Sequence, residues 1–145
     1  MRQILFRLIG ILEIAGGFYG VVTELRRLLP LGSTHETIVG LIGLLLYGFV
    51  LCAGVLLLEG GDRGVGLSQI AQLLQLPLIA TPMLSYALHC GAFVNVYATL
   101  QASPHLGLDW HFGSQGFLLA ASGPALSRVG LNLLALLSWL ALRLR

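Results

Sequence analysis

GLSQIAQLLQLPLIATPMLSYALH, residues 66–89, is the stretch on which the fold turns. It carries no Asp, Glu, Lys or Arg and is long enough to cross a bilayer as a helix. Pro77 and Pro82 interrupt it. Each proline removes a helical hydrogen bond and invites a kink, which a membrane tolerates where neighbouring helices or polar side chains take up the freed carbonyls. Ser68, Gln72, Gln75, Ile79, Pro82 and Tyr86 recur at spacings of four and three, which gives such a helix one polar stripe. Taken as a kinked transmembrane helix, the segment is the third of four spans. The chain then reads as an all-α membrane protein: a four-transmembrane-helix bundle with a small β-hairpin-like extramembrane insert between helices 3 and 4.

The other spans follow outward from it. The first, 4–29, is stopped by Pro30. A signal peptide is the rival, but the segment ends in Thr23-Glu24-Leu25-Arg26-Arg27 with no small-residue cleavage site, so an uncleaved span is expected. The second, 37–58, has no charged residue, and Ser33-Thr34-His35-Glu36 before it has capping-box spacing. Gly60 and Gly61 end it, with Asp62 and Arg63 placing the turn in water. The fourth, 124–144, opens at Pro124 after Ser122 and Gly123, with Arg128 one turn inside and able to snorkel outward. Residues 1–145 thus form a single integral membrane domain.

Composition agrees with a membrane location. The chain is 57% hydrophobic and 10% charged, against about 25% charged in soluble domains, and its mean hydropathy is +0.89. A net charge of +2 offers no nucleic-acid surface. Cys52 and Cys90 form no CxxC pattern and read as small apolar fillers. With the N-terminus inside, Arg2, Arg7, Arg63, Arg143 and Arg145 lie at the cytoplasmic side and Arg26, Arg27 and Arg128 at the other, so the positive-inside rule puts both termini in the cytoplasm. Helical rather than alternating spans point to a bacterial inner membrane.

The insert, 90–121, has period two instead of 3.6. Leu106, Leu108, Trp110 and Phe112 alternate with Gly107, Asp109, His111 and Gly113, the pattern of a half-buried strand. The stretch 93–100 is aromatic and β-branched, and Ser103-Pro104-His105 supplies a turn. An antiparallel hairpin is expected there, with a third strand near 117–120, resting on the helices or the membrane surface because an isolated hairpin is marginal in water.

Glu13 is the residue that most resembles chemistry, since a charge near a bilayer centre costs at least about 2.5 kcal/mol. Counting about 1.5 Å per residue from the helix ends sets Tyr47, Gln72, Gln75 and Asn132 at similar depth, with Ser138 beside the last. Such a cluster serves either a proton, ion or small-molecule path or interhelical hydrogen bonding. Gly10, Gly17 and Gly20 share the Glu13 face, and Gly40, Gly43 and Gly54 share a face of the second span. These faces permit close packing within the chain, in a homo-oligomer or against a membrane-protein partner. Glu24 and Arg128 fall at matching depth as an outer-end ion pair.

Leu12-Glu13-Ile14 and the glycines after it resemble the first helix of the small multidrug-resistance transporters. The resemblance implies a proton-exchanging glutamate at Glu13. It covers only that stretch, and the long insert departs from the short loops of that family, so no drug-transport role is carried over.

Three further patterns bear on chemistry. His105, Asp109 and His111 are the metal-ligand candidates, but three or four converging ligands are needed and the spacing is loose, so neither metal nor other cofactor is expected. The run from Gly60 to Gly66 lacks the lysine of a phosphate loop. No serine, histidine and carboxylate stand in motif spacing, so no enzyme is expected. A structural or accessory multi-pass membrane protein is the leading expectation, ahead of a small proton- or ion-coupled transporter using Glu13. An enzyme built on Asp109 and His111 is third.

Overall fold

The computed structural model describes residues 2–30, 32–100, 103–121 and 123–144. Ser122, expected at the opening of the fourth span, and Arg145, counted toward the cytoplasmic side, lie outside the described residues.

Two helices are long and apolar enough to cross a membrane: α1 (Arg2–Leu28) and α2 (Thr34–Leu58). The start of α2 is fixed by the expected capping box. Ser33 Oγ accepts from the Glu36 N–H, and the Glu36 carboxylate accepts from the Ser33 N–H. The two helices pack closely because small residues line their seam. A Cβ on Gly17 would stand 2.8 Å from the Leu51 backbone nitrogen, and one on Gly54 2.8 Å from Glu13 Cβ. The Gly20 backbone lies against the Tyr47 ring. The glycine faces are therefore spent, at least in these positions, on an intramolecular seam.

Residues 66–89 are not a kinked span, and the all-α four-helix bundle is overturned. Helix α3 (Asp62–Gln75) stops before Pro77, and the chain continues as strands β1 (Pro77–Ala80) and β2 (Ser85–His89). The prolines end and turn the chain instead of kinking a helix. Pro77 opens a strand, a position where a missing N–H is tolerated. Pro82 lies in the hairpin loop, closed by the Thr81 N–H donating to the Leu84 carbonyl at 2.9 Å and the Leu84 N–H donating to Thr81 Oγ1 at 3.0 Å. At about 1.5 Å per residue, the 14 residues of α3 reach about 21 Å, short of the roughly 30 Å core of a bilayer.

The fourth expected span divides in the same way, into β6 (Ser127–Asn132) and α4 (Leu133–Arg143). Arg128 is thus a strand residue. Asn132 caps α4, its Oδ1 accepting from the N–H groups of Leu134 and Ala135. Between lie β3 (Ala92–Leu100), β4 (His105–Phe112) and β5 (Gly116–Ala120). The hairpin expected from the alternation exists as β3–β4, but it is one part of a six-stranded antiparallel sheet of order β4-β3-β6-β1-β2-β5.

The register divides the sheet into two unlike faces. One carries Leu106, Leu108, Trp110 and Phe112 of β4, Val94 and Val96 of β3, Val129 and Leu131 of β6, and Tyr86 and Leu88 of β2. Where it meets helices it forms the core: Leu88 and Phe117 are buried with Tyr47, Val50, Ala53 and Ala71. The opposite face carries Asn95, Tyr97, Asp109, Arg128 and His89. Hydrogen bonds hold the sheet and its β4–β5 turn against the helical hairpin. Tyr47 Oη donates to the His89 carbonyl at 2.9 Å, Ser114 Oγ to the Gly16 carbonyl at 2.7 Å, and the Phe117 N–H to Glu24 Oε1 at 2.8 Å.

Candidate functional site

Two polar regions result, one closed and one open. The closed one surrounds Glu13, which is 2% exposed. Its Oε2 accepts from Ser68 Oγ at 2.6 Å and its Oε1 from Gln72 Nε2 at 2.8 Å. Ser68 and Gln72 are one turn apart on α3, so both reach one carboxylate. Beside it is a cavity of about 20 Å³ bordered also by Gln75, Cys90, Asn132 and Ser138, enough for about one water. The structure thus gathers Glu13, Gln72, Gln75 and Asn132 of the intramembrane cluster around one small space. Tyr47 does not border it and is bound to the His89 carbonyl instead. Ser68 is the partner that depth counting did not single out, although its place in the polar stripe with Gln72 signals it.

The open region is a cleft of about 500 Å³ lined from all six strands and the last turns of α1. Glu24 and Arg27 enter from α1, His89 from β2, Asn95 and Tyr97 from β3, Asp109 from β4 and Arg128 from β6. Asn95 and Asp109 are direct cross-strand partners, which sets their Cβ atoms about 5 Å apart. Asn95 Nδ2 lies 2.9 Å from His89 Nε2. An amide nitrogen only donates, so Nε2 accepts and the ring proton is on Nδ1. Burial holds the His89 pKa below its ordinary value, partly opposed by the Asp109 charge, which agrees with a neutral ring.

Among the described residues, Asn95 Oδ1 and Glu24 Oε2 are buried acceptors with no hydrogen-bond partner, both closed to solvent. Their residues are 3% and 0% exposed. The cations are differently disposed. Arg128 stacks over the Tyr97 ring at 5.6 Å. Arg27 donates to the Phe117 carbonyl at 3.2 Å and lies 4.0 Å from Glu24 Oε2, too far for a hydrogen bond. Glu24 and Arg128, expected as an ion pair, both border the cleft, while the ion-pair contact of Glu24 is with Arg27.

His105, Asp109 and His111 share one face of β4 by register. His111 lies against Phe93, whose ring also packs on His89. Among the described residues, no group of three or more His, Cys, Asp or Glu is arranged to hold a metal ion. Burial pushes the Cys90 thiol up to about 12, so it is not a thiolate nucleophile. Cys52 is exposed. No protein-family model, curated protein or solved structure matches this chain.

Proposed function

We propose that this is a membrane-anchored, non-enzymatic binding protein, held in the bilayer by α1 and α2 and binding a small polar ligand in the sheet cleft. The observation that carries the proposal is the cleft itself: about 500 Å³, within the range of ligand sites, with Arg27, Asp109 and Arg128 in its lining. Ligand sites of this size combine apolar walls with a few placed polar groups, and this cleft carries both.

The anchor is supported by how the two long helices are dressed. Only 33% of each candidate window is buried inside the fold, so most of their apolar side chains, among them Leu5, Leu8, Ile11, Phe18, Leu41 and Leu45, face outward. An exposed apolar surface of that extent marks a membrane or protein interface. Glu13 in this picture is a clamp between α1 and α3 and not an exchange site, since both its oxygens are engaged.

The test uses the full chain in lipid nanodiscs, with thermal unfolding followed against a panel of amino acids, amines, carboxylic acids and sugars. At least one class raises Tm in the wild type, and Ala80→Trp, which fills the cleft from β1, abolishes the rise. If no class shifts Tm, or if the chain stays in the aqueous fraction after expression and membrane washing, the proposal is wrong.

A further inference from the structure

The charge and hydrogen-bond layout of the cleft also selects among ligands. Its charged lining consists of Glu24, Asp109, Arg27 and Arg128, two of each sign, with His89 neutral by its bond from Asn95. A cleft of balanced charge favours a ligand of balanced charge, because a lone ion would leave its own charge uncompensated when water is displaced. The two signs are not mixed evenly along the strands. Asp109 pairs across from Asn95, whereas Arg128 pairs across from Thr99 and Ala80, four residues further along β3. The acidic end therefore offers the Asp109 carboxylate, exposed on β4 across from the buried Asn95. A carboxylate open to the cleft calls for a cationic donor.

An ammonium meets that requirement. It has three donors and no acceptor, so it can donate to the Asp109 carboxylate. At the other end, the Arg128 guanidinium carbon lies 5.6 Å from the centre of the Tyr97 ring. Its in-plane N–H groups remain in the fork geometry that recognises carboxylate or phosphate. We infer that the cleft binds a zwitterion, its ammonium against Asp109 and its anionic group against Arg128. This assignment rests on the cleft being a binding site at all. The same ammonium–anion chemistry is presented by a free amino acid and by the head of an ethanolamine phospholipid.

The test is isothermal titration calorimetry on the full chain in nanodiscs of phosphatidylglycerol, which has no ammonium. The probes are 4-aminobutanoate, butylamine and butanoate, equal in chain length and differing in charge. The zwitterion is expected to bind at least about tenfold more tightly than either singly charged probe. Asp109→Asn should weaken 4-aminobutanoate by about tenfold or more and turn the preference toward butanoate. Arg128→Gln should weaken it similarly and turn the preference toward butylamine. Both side chains are exposed at the cleft, so neither variant removes core packing, and a purely structural role would not exchange one preference for the other.

Repeating the titration in discs containing phosphatidylethanolamine separates the two sources. Competition that lowers the apparent affinity for 4-aminobutanoate identifies the lipid head, and an unchanged affinity identifies a free molecule. If butylamine or butanoate binds as tightly as the zwitterion, or if both variants leave its affinity unchanged, the zwitterion assignment is overturned. Binding of another class that Ala80→Trp blocks would leave the binding-protein proposal standing, whereas no binding at all removes both.

Discussion

Glu13 and Glu24 stand on the same helix, and both are buried, yet the fold treats them differently. Glu13 has a hydroxyl and an amide aimed at its two oxygens from successive turns of α3. Glu24 has one oxygen bound to the Phe117 N–H and the other buried without a hydrogen bond, 4.0 Å from Arg27 Nη1. The difference is one of distance along the chain and of what faces each group. Glu13 meets a helix, where side chains three and four apart share a face. Glu24 meets a strand end, which offers one backbone donor. A satisfied buried acid fastens two elements, and a half-satisfied one fastens them less strongly.

The comparison breaks most visibly if Glu13 is removed. Glu13→Leu leaves the Gln72 amide unmade and the Ser68 hydroxyl with only its 3.4 Å bond to the Ala53 carbonyl, and a buried unmade group costs about 1–3 kcal/mol. A loss of about 3 kcal/mol is expected in denaturant unfolding of the protein in detergent, with Glu13→Gln recovering most of it. Equal stability of Glu13→Leu and wild type would remove the clamp.

A smaller cost separates Glu24. Glu24→Leu orphans only the Phe117 N–H and also removes the unpartnered Oε2, so about 1 kcal/mol is expected. Glu24→Gln should be nearly neutral in the same measurement. If Glu24→Leu costs as much as Glu13→Leu, the contrast between the two acids is wrong.

The smallest effect is a pH dependence centred on the cleft. His89 is held neutral in the fold, its pKa below the ordinary value because of burial. The unfolded chain therefore takes up a proton near pH 6.5, where the native state still refuses it. Stability from this group is fully present above about pH 6.5 and declines as pH falls toward the folded pKa. Tm measured from pH 7.5 to 5 should fall, and His89→Gln, which keeps an acceptor for Asn95, should flatten that part of the curve. An identical slope in the variant would detach His89 from it.

Much of the helical half was legible in the sequence. The two long apolar stretches and the capping box at Ser33 and Glu36 follow from short-range spacing. The alternation from Leu106 to Phe112 announced β4 because period two over eight residues has no helical counterpart. What misled was 77–89 and 127–132. Both are apolar, short and flanked by helical sequence, and such runs cannot be told from buried helix by periodicity alone. Pro77 and Pro82 were signals of strand and turn, and Arg128-Val129-Gly130-Leu131-Asn132 alternates, but the apolar run after Asn132 masked it. The orphan acceptor of Asn95 had no sequence signal at all, because it depends on which way one amide turns to meet His89.

By itself the sequence determined the elements whose stability is local: helices whose hydrogen bonds close within four residues and whose caps sit at their own ends. Only the tertiary structure decided that 77–80 pairs with 127–132, more than forty residues away, since a strand is stable only through a partner that the local pattern does not name. The cleft belongs wholly to that second category. Glu24, His89, Asn95, Asp109 and Arg128 come from one helix and four strands, and nothing but the order β4-β3-β6-β1-β2-β5 brings them to one place.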